Sequence, residues 1–114
     1  MSRKVVIAGS LSFYKEIEKW ANWWTDQGFT VINYPNPSSE GGKFPKNYPA
    51  IKKKFFQDLS AADIVFVVNE DKGKVSGYIG AQVFAEIVFA VANNLVHDKN
   101  IKIILAQKPS QEVL

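Results

Sequence analysis

One carboxylate stands alone in the most apolar stretch of the chain. Ser76–Ala92 reads SGYIGAQVFAEIVFAVA, and Glu86 is the sole charged residue between Ile79 and Val91. A helix that is apolar nearly all round is normally buried. An ionised carboxylate is costly to bury unless it is paired or hydrogen-bonded. Glu86 is therefore expected either at the wall of a polar cleft or in a neutralising ion pair, and the cleft is the reading taken. On a helix it shares a face with Gln82 and Ala90, one turn away on either side. A glutamate so placed has two chemistries. It can attack an electrophilic sugar carbon, or, partly desolvated, it can donate a proton.

The other candidates are short loops. Gly9-Ser10 allows close backbone approach and presents a hydroxyl at a helix start, suiting a phosphate or ribose oxygen; a plain strand-to-helix turn accounts for it equally well. GSLSF is neither a phosphate-cradling P-loop nor a dinucleotide fingerprint. Asn69 closes an apolar run and offers an amide to sugar or base. Gly77 and Gly80 flank Tyr78-Ile79 just ahead of the helix carrying Glu86. Glu70 and Asp71 are possible second acids in a polar loop. Asp63 belongs to the opposite end of its strand and is read as structural. His97 stands alone, with no HExxH and no serine or cysteine partner.

These residues need elements to bring them together. Val5–Ala8 is short, apolar and without alternation, as in a strand covered on both faces. Phe13, Ile17, Trp20 and Trp24 recur at helical spacing, with Ser12 as a possible cap and Gly28 as the stop. Trp23 falls beside that stripe, either covering the sheet or serving a subunit contact. Phe29–Tyr34 is a more mixed strand, hence an edge. Residues 35–49, PNPSSEGGKFPKNYP, hold four prolines and two glycines and read as a long binding or lid loop. Asn47 can cap the next helix and Pro49 can sit in its first turn. Ile51, Phe55, Leu59 and Ala62 then face inward, while Lys52, Lys53 and Asp58 face water. Ile64–Val68 is the third strand. Ile79–Asn93 is the central helix, ended by Asn93-Asn94. Ile101–Leu105 is the fourth strand, with a short terminal turn or helix possible beyond it.

The order β-α-β-α-β-α-β predicts an α/β, three-layer αβα sandwich with a four-stranded parallel sheet. The strand order chosen is 2-1-3-4, a flavodoxin-like arrangement. It brings the loops after strands 1 and 3 to a common crevice at the strands' carboxyl ends.

Composition bounds the rest. The 114 residues make one domain, residues 1–114. There are no cysteines, so disulfides and thiolate metal sites are excluded. No signal peptide or spanning segment is evident, and a cytoplasmic protein is expected. The net charge of +3 is mild, and Lys52–Lys54 with Lys43 and Lys46 reads as a solvated face rather than a nucleic-acid surface. Three tryptophans and an apolar central helix favour a homo-oligomer. No metal and no cofactor is called for.

The stretches VVIAGSLSF, DLSAADIVFVVNE and SGYIGAQVFAEIVFAVANN together resemble the nucleoside 2-deoxyribosyltransferase-like family, over roughly Lys4–Leu105. YIG followed by AEIVFA, downstream of ADIVFVVN, is the most specific part. The resemblance implies a flavodoxin-like domain binding a nucleoside or nucleoside 5′-monophosphate, usually as a homo-oligomer. It implies Glu86 as the nucleophile at the sugar C1′, Ser10 near the ligand, and Asn69 with Gly77–Gly80 around the sugar. Active members commonly carry an aspartate six residues ahead of the glutamate; that position is Gly80 here, and Asp71 is the substitute considered. The expected activity is N-glycosidic bond cleavage or transfer, as a deoxyribosyltransferase or nucleotide N-glycosidase. The alternative is a catalytically silent nucleotide-sensing or interaction protein. A flavodoxin-like electron carrier fits less well, for want of a phosphate loop.

Overall fold

The computed structural model describes residues 2–36 and 48–109. Within them, β1 (Lys4–Gly9), α1 (Tyr14–Asp26), β2 (Thr30–Asn33), α2 (Tyr48–Ala61), β3 (Ile64–Val68), α3 (Ala81–His97) and β4 (Lys102–Leu105) follow in order. All strand pairings within the sheet are parallel, and the order is β2-β1-β3-β4. The fold is thus the three-layer αβα sandwich expected, with β1 and β3 central. Their apolar continuity has a direct cause. Val5, Ile7, Ile64, Phe66 and Val68 face α1, while Val6, Ala8, Val65 and Val67 face the layer of α2 and α3. Neither strand has a solvent face on which a polar residue would be tolerated.

The helix boundaries differ from expectation in instructive ways. Ser10, rather than Ser12, is the cap: its hydroxyl accepts from the Ser12 amide at 3.2 Å, and a single 3-10 turn over Leu11–Phe13 precedes α1. Gly28, at φ 94°, takes the left-handed turn that releases the chain into β2. The expected helix start at Asn47, and most of the 35–49 loop, lie outside the described residues.

α3 starts two residues later and runs one turn further than Asn93-Asn94 suggested. The asparagines do not break it, because their side chains are used elsewhere. Asn93 Nδ2 donates to the Phe89 carbonyl. Asn94 donates to the Ile101 carbonyl and accepts from the Ile101 amide, tying α3 to the start of β4. The helix ends at Asp98, which holds the left-handed conformation at φ 52°. Among the described residues no helix is long and apolar enough to cross a membrane.

Asp63 sits at the amino end of β3, and its carboxylate accepts the Lys4 amide at 2.7 Å. That is the structural duty its position implied.

Candidate active site

A cavity of about 390 Å³ opens where the carboxyl end of β1, the segment after β2, α2 and the start of α3 meet. Its size falls within the range of small-molecule sites. Of the residues singled out in the sequence, Gly9, Ser10, Tyr78, Gly80 and Glu86 line it, joined by Gln82. Gly9 has a packing reason as well: a Cβ there would stand 3.1 Å from the Val68 carbonyl and 3.2 Å from Ile17 Cδ1.

Glu86 is 4% exposed yet borders this cavity. Its Oε2 lies 2.9 Å from Lys52 Nζ, on the neighbouring helix α2, and Lys52 lines the same cavity. The two sequence readings of Glu86, cleft wall and ion pair, therefore hold together. Lys52 itself departs from expectation. Its side chain is 19% exposed and crosses the rings of Phe55 and Phe56, at 5.2 and 5.7 Å from their centroids. Its methylene stem covers apolar surface while the ammonium reaches the carboxylate. One signal was available: a lone acid inside an apolar helix needs a cation, and the preceding crossover helix is the nearest source.

Asp58 is likewise buried rather than solvated. It accepts from Asn33 Nδ2 and from Lys54 Nζ, both at 2.8 Å. Asn33 and Tyr34, at the end of β2, form part of the cavity wall, and Asp58 fixes the Asn33 amide from behind. Sequence reading missed these two because β2 offered only a mixed, edge-like pattern. Of the Lys52–Lys54 run, Lys52 and Lys54 are engaged in ion pairs, but only Lys52 is drawn inward; Lys53 and Lys54 stay at the surface, as expected. Gln82 Nε2 donates to the Tyr48 hydroxyl at 3.3 Å, a second link between α3 and α2.

Asn69, Asp71 and Gly77 take a different position. They are absent from the cavity lining and form a lock behind it. Asn69 is fully buried; its Nδ2 donates to the Gln107 carbonyl at 2.7 Å and its Oδ1 accepts the Gln107 amide at 3.1 Å. Asp71 Oδ1 accepts from the Gly77 amide and from Gln107 Nε2. This differs from an Asp71 reaching inward as a second acid: its carboxylate is engaged by the turn that carries Tyr78. Tyr78 stands edge-on to Phe13 and under the Lys72 ammonium, 4.7 Å from the ring centroid, which fixes its ring at the cavity wall. His97 lies exposed in the last turn of α3, away from the cavity.

No protein-family model matches the chain, and no curated protein matches it. Among solved structures, the chain is similar to a CMP N-glycosidase, BcmB, of Clostridium botulinum, at 15% identity and a TM-score of 0.49. That alignment covers 91% of this chain and 90% of the other.

Proposed function

We propose that this domain cleaves, or transfers at, the N-glycosidic bond of a nucleoside or nucleoside 5′-monophosphate, with Glu86 as nucleophile. The observation that carries the reading is a near-buried carboxylate bordering a ligand-sized cavity at the carboxyl edge of a parallel sheet. The sequence resemblance around Tyr78–Ala90 supports the same assignment. In this reading a Glu86 oxygen bonds to C1′ as the C1′–N bond breaks. The base leaves with the bond's electron pair and takes a proton from water. Water or a second base then attacks C1′, releasing the carboxylate and giving hydrolysis or transfer from one intermediate.

The residues around the carboxylate have matching tasks. Lys52 supplies the countercharge that a carboxylate in this setting requires. Tyr34, Tyr78 and Phe55 offer ring faces, and the Asn33 amide and Ser10 hydroxyl offer polar contacts to base and sugar. Asn69, Asp71 and Gly77 position Tyr78 and Gly80 from behind.

The test follows free-base release from ribo- and deoxyribonucleosides and their 5′-monophosphates, with and without an acceptor base. Release by the wild type, a glycosyl adduct in the intact-protein mass, and loss of both in Glu86→Gln is the expected result. Release that persists in Glu86→Gln would sink the nucleophile assignment. The Lys52 contact and the glycine at position 80 favour one second reading, a nucleotide binder without turnover. It predicts saturable binding by calorimetry with no base released.

A further inference from the structure

α1 packs chiefly over β1, β2 and β3, and the β4 residue on the same face is left partly open. Ile104 pairs in register with Phe66, whose side chain lies in the core under α1, yet Ile104 stays 37% exposed. Between Ile104 and α1 lies a second cavity, of about 670 Å³, which shares no lining residue with the one at Glu86. Half of its lining is aromatic. Trp20 lies against Phe66, with ring centroids 4.6 Å apart. Trp23 stands nearly perpendicular to Trp20 and to Trp24, at 76° and 88°. Two neighbours thus fix its indole, while the residue remains 46% exposed.

The polar groups of this cavity are unspent. Trp24 is only 7% exposed, and its indole N–H meets no acceptor among the described residues. That group is a donor only, and a buried donor left unpaired is costly. Glu16 and Glu70 also line the cavity, and neither holds an ion pair among the described residues. Lys19 is the one base in the wall, so the lining is acidic in balance.

We propose that this cavity is a second ligand site, for a planar heteroaromatic amine of the aminopurine or aminopyrimidine type. Each part of such a ring has a counterpart. Its face stacks on tryptophan. A ring nitrogen or carbonyl oxygen accepts from the Trp24 N–H. The amino group donates to the Glu16 or Glu70 carboxylate, a charge-assisted bond. Other chemistries fit less of the lining. A phosphate or carboxylate ligand meets two like charges, and a simple alkylammonium offers nothing to the buried indole donor. The volume lies in the range of small-molecule sites. Nothing in this assignment rests on the chemistry of Glu86.

Intrinsic fluorescence of the full chain tests it, because all three tryptophans line this cavity and none lines the other. The probes are 9-methyladenine and 9-methylpurine, which share a ring and its acceptors and differ in the amino group. Neither carries a sugar, so no turnover intrudes. 9-Methyladenine should quench saturably and bind about tenfold more tightly than 9-methylpurine. Glu16→Gln with Glu70→Gln keeps every tryptophan and should erase that preference. Trp23→Ala, at an exposed position, should weaken binding on the order of tenfold, read from Trp20 and Trp24. Glu86→Gln should leave the quenching unchanged. Absence of saturable quenching overturns the site, as does quenching that Glu86→Gln abolishes or that Trp23→Ala leaves intact. Equal affinity for the two probes overturns the amine assignment. So does tighter binding of tetramethylammonium, measured by its displacement of 9-methyladenine, which would make the cavity a cation cage.

Discussion

Lys52 and Glu86 are unequal partners, and the inequality can be measured. Glu86 is almost wholly enclosed, whereas the lysine side chain retains 19% exposure and a flexible stem. Lys52→Met leaves a buried carboxylate without its countercharge. The expected loss in urea unfolding is about 2–3 kcal/mol, below the cost for a pair buried on both sides, because water reaches the lysine end. Glu86→Gln leaves a lysine that can turn toward solvent and should cost only about 1 kcal/mol. The double variant, Lys52→Met with Glu86→Gln, should lose less than the two singles added, by about 1–2 kcal/mol. Strict additivity would show that the 2.9 Å contact contributes nothing in solution. The same pair bears on the proposed chemistry. In the reaction proposed above, Glu86 must exchange its Lys52 contact, at least in part, as its oxygen bonds to carbon. Activity should therefore respond to Lys52→Met more than to Lys53→Met, whose target lysine is exposed.

At the scale of elements, the segment Asn69–Gly80 is built from within, and its two left-handed glycines are not equivalent. Gly73 and Gly77 both sit at φ 61°. A Cβ at Gly73 would meet open space, while one at Gly77 would stand 2.7 Å from the Lys108 carbonyl and 2.8 Å from Pro109 Cα. Gly73→Ala should thus cost only the conformational strain, about 1 kcal/mol. Gly77→Ala adds a backbone clash and should cost about 3 kcal/mol or more in thermal or urea unfolding, while displacing Tyr78 from the cavity. Equal losses would refute the lock. This segment also marks how far the sequence was legible. The β1 and β3 runs, the order of elements and the convergence of Gly9-Ser10 with Tyr78–Gly80 followed from periodicity and from the geometry of parallel crossovers. What did not follow was every feature decided by a partner distant in sequence. Asn69 looked like a free amide because Gln107 lies 38 residues away. Lys52 and Asp58 looked solvated because Glu86 and Asn33 are brought to them only by the sheet. The end of α3 differs for a more local reason, since Asn94, read as a helix stop, is held by Ile101 only seven residues on. Local pattern encodes elements, whereas the polar contacts that complete a site are tertiary.

For the whole molecule, α3 is a wall shared by two environments, with the Glu86 carboxylate facing its cavity on one side and an apolar stripe, Phe84, Val88, Val91 and Leu95, exposed on the other. If a second copy covers the stripe, as the homo-oligomer expected from the sequence would have it, unfolding is tied to dissociation, and stability depends on protein concentration. Each tenfold rise in concentration adds about 1.4 kcal/mol per dimer to the unfolding free energy, or about 0.7 per chain. A chain of this length unfolds with an entropy of roughly 240 cal/mol/K, so the melting midpoint should rise by about 3 °C per tenfold. Calorimetry or fluorescence melts over a hundredfold concentration range measure this directly. Val88→Glu should flatten the dependence, because its target lies on the outer face. Glu86→Gln should preserve the slope even as it lowers the midpoint, because its target lies on the inner face. A wild-type midpoint that does not move with concentration would mean that the native chain carries its exposed stripe as a monomer. A slope abolished by Glu86→Gln would mean that the two faces of α3 are not separable, and that the cavity is shaped by the dimer itself.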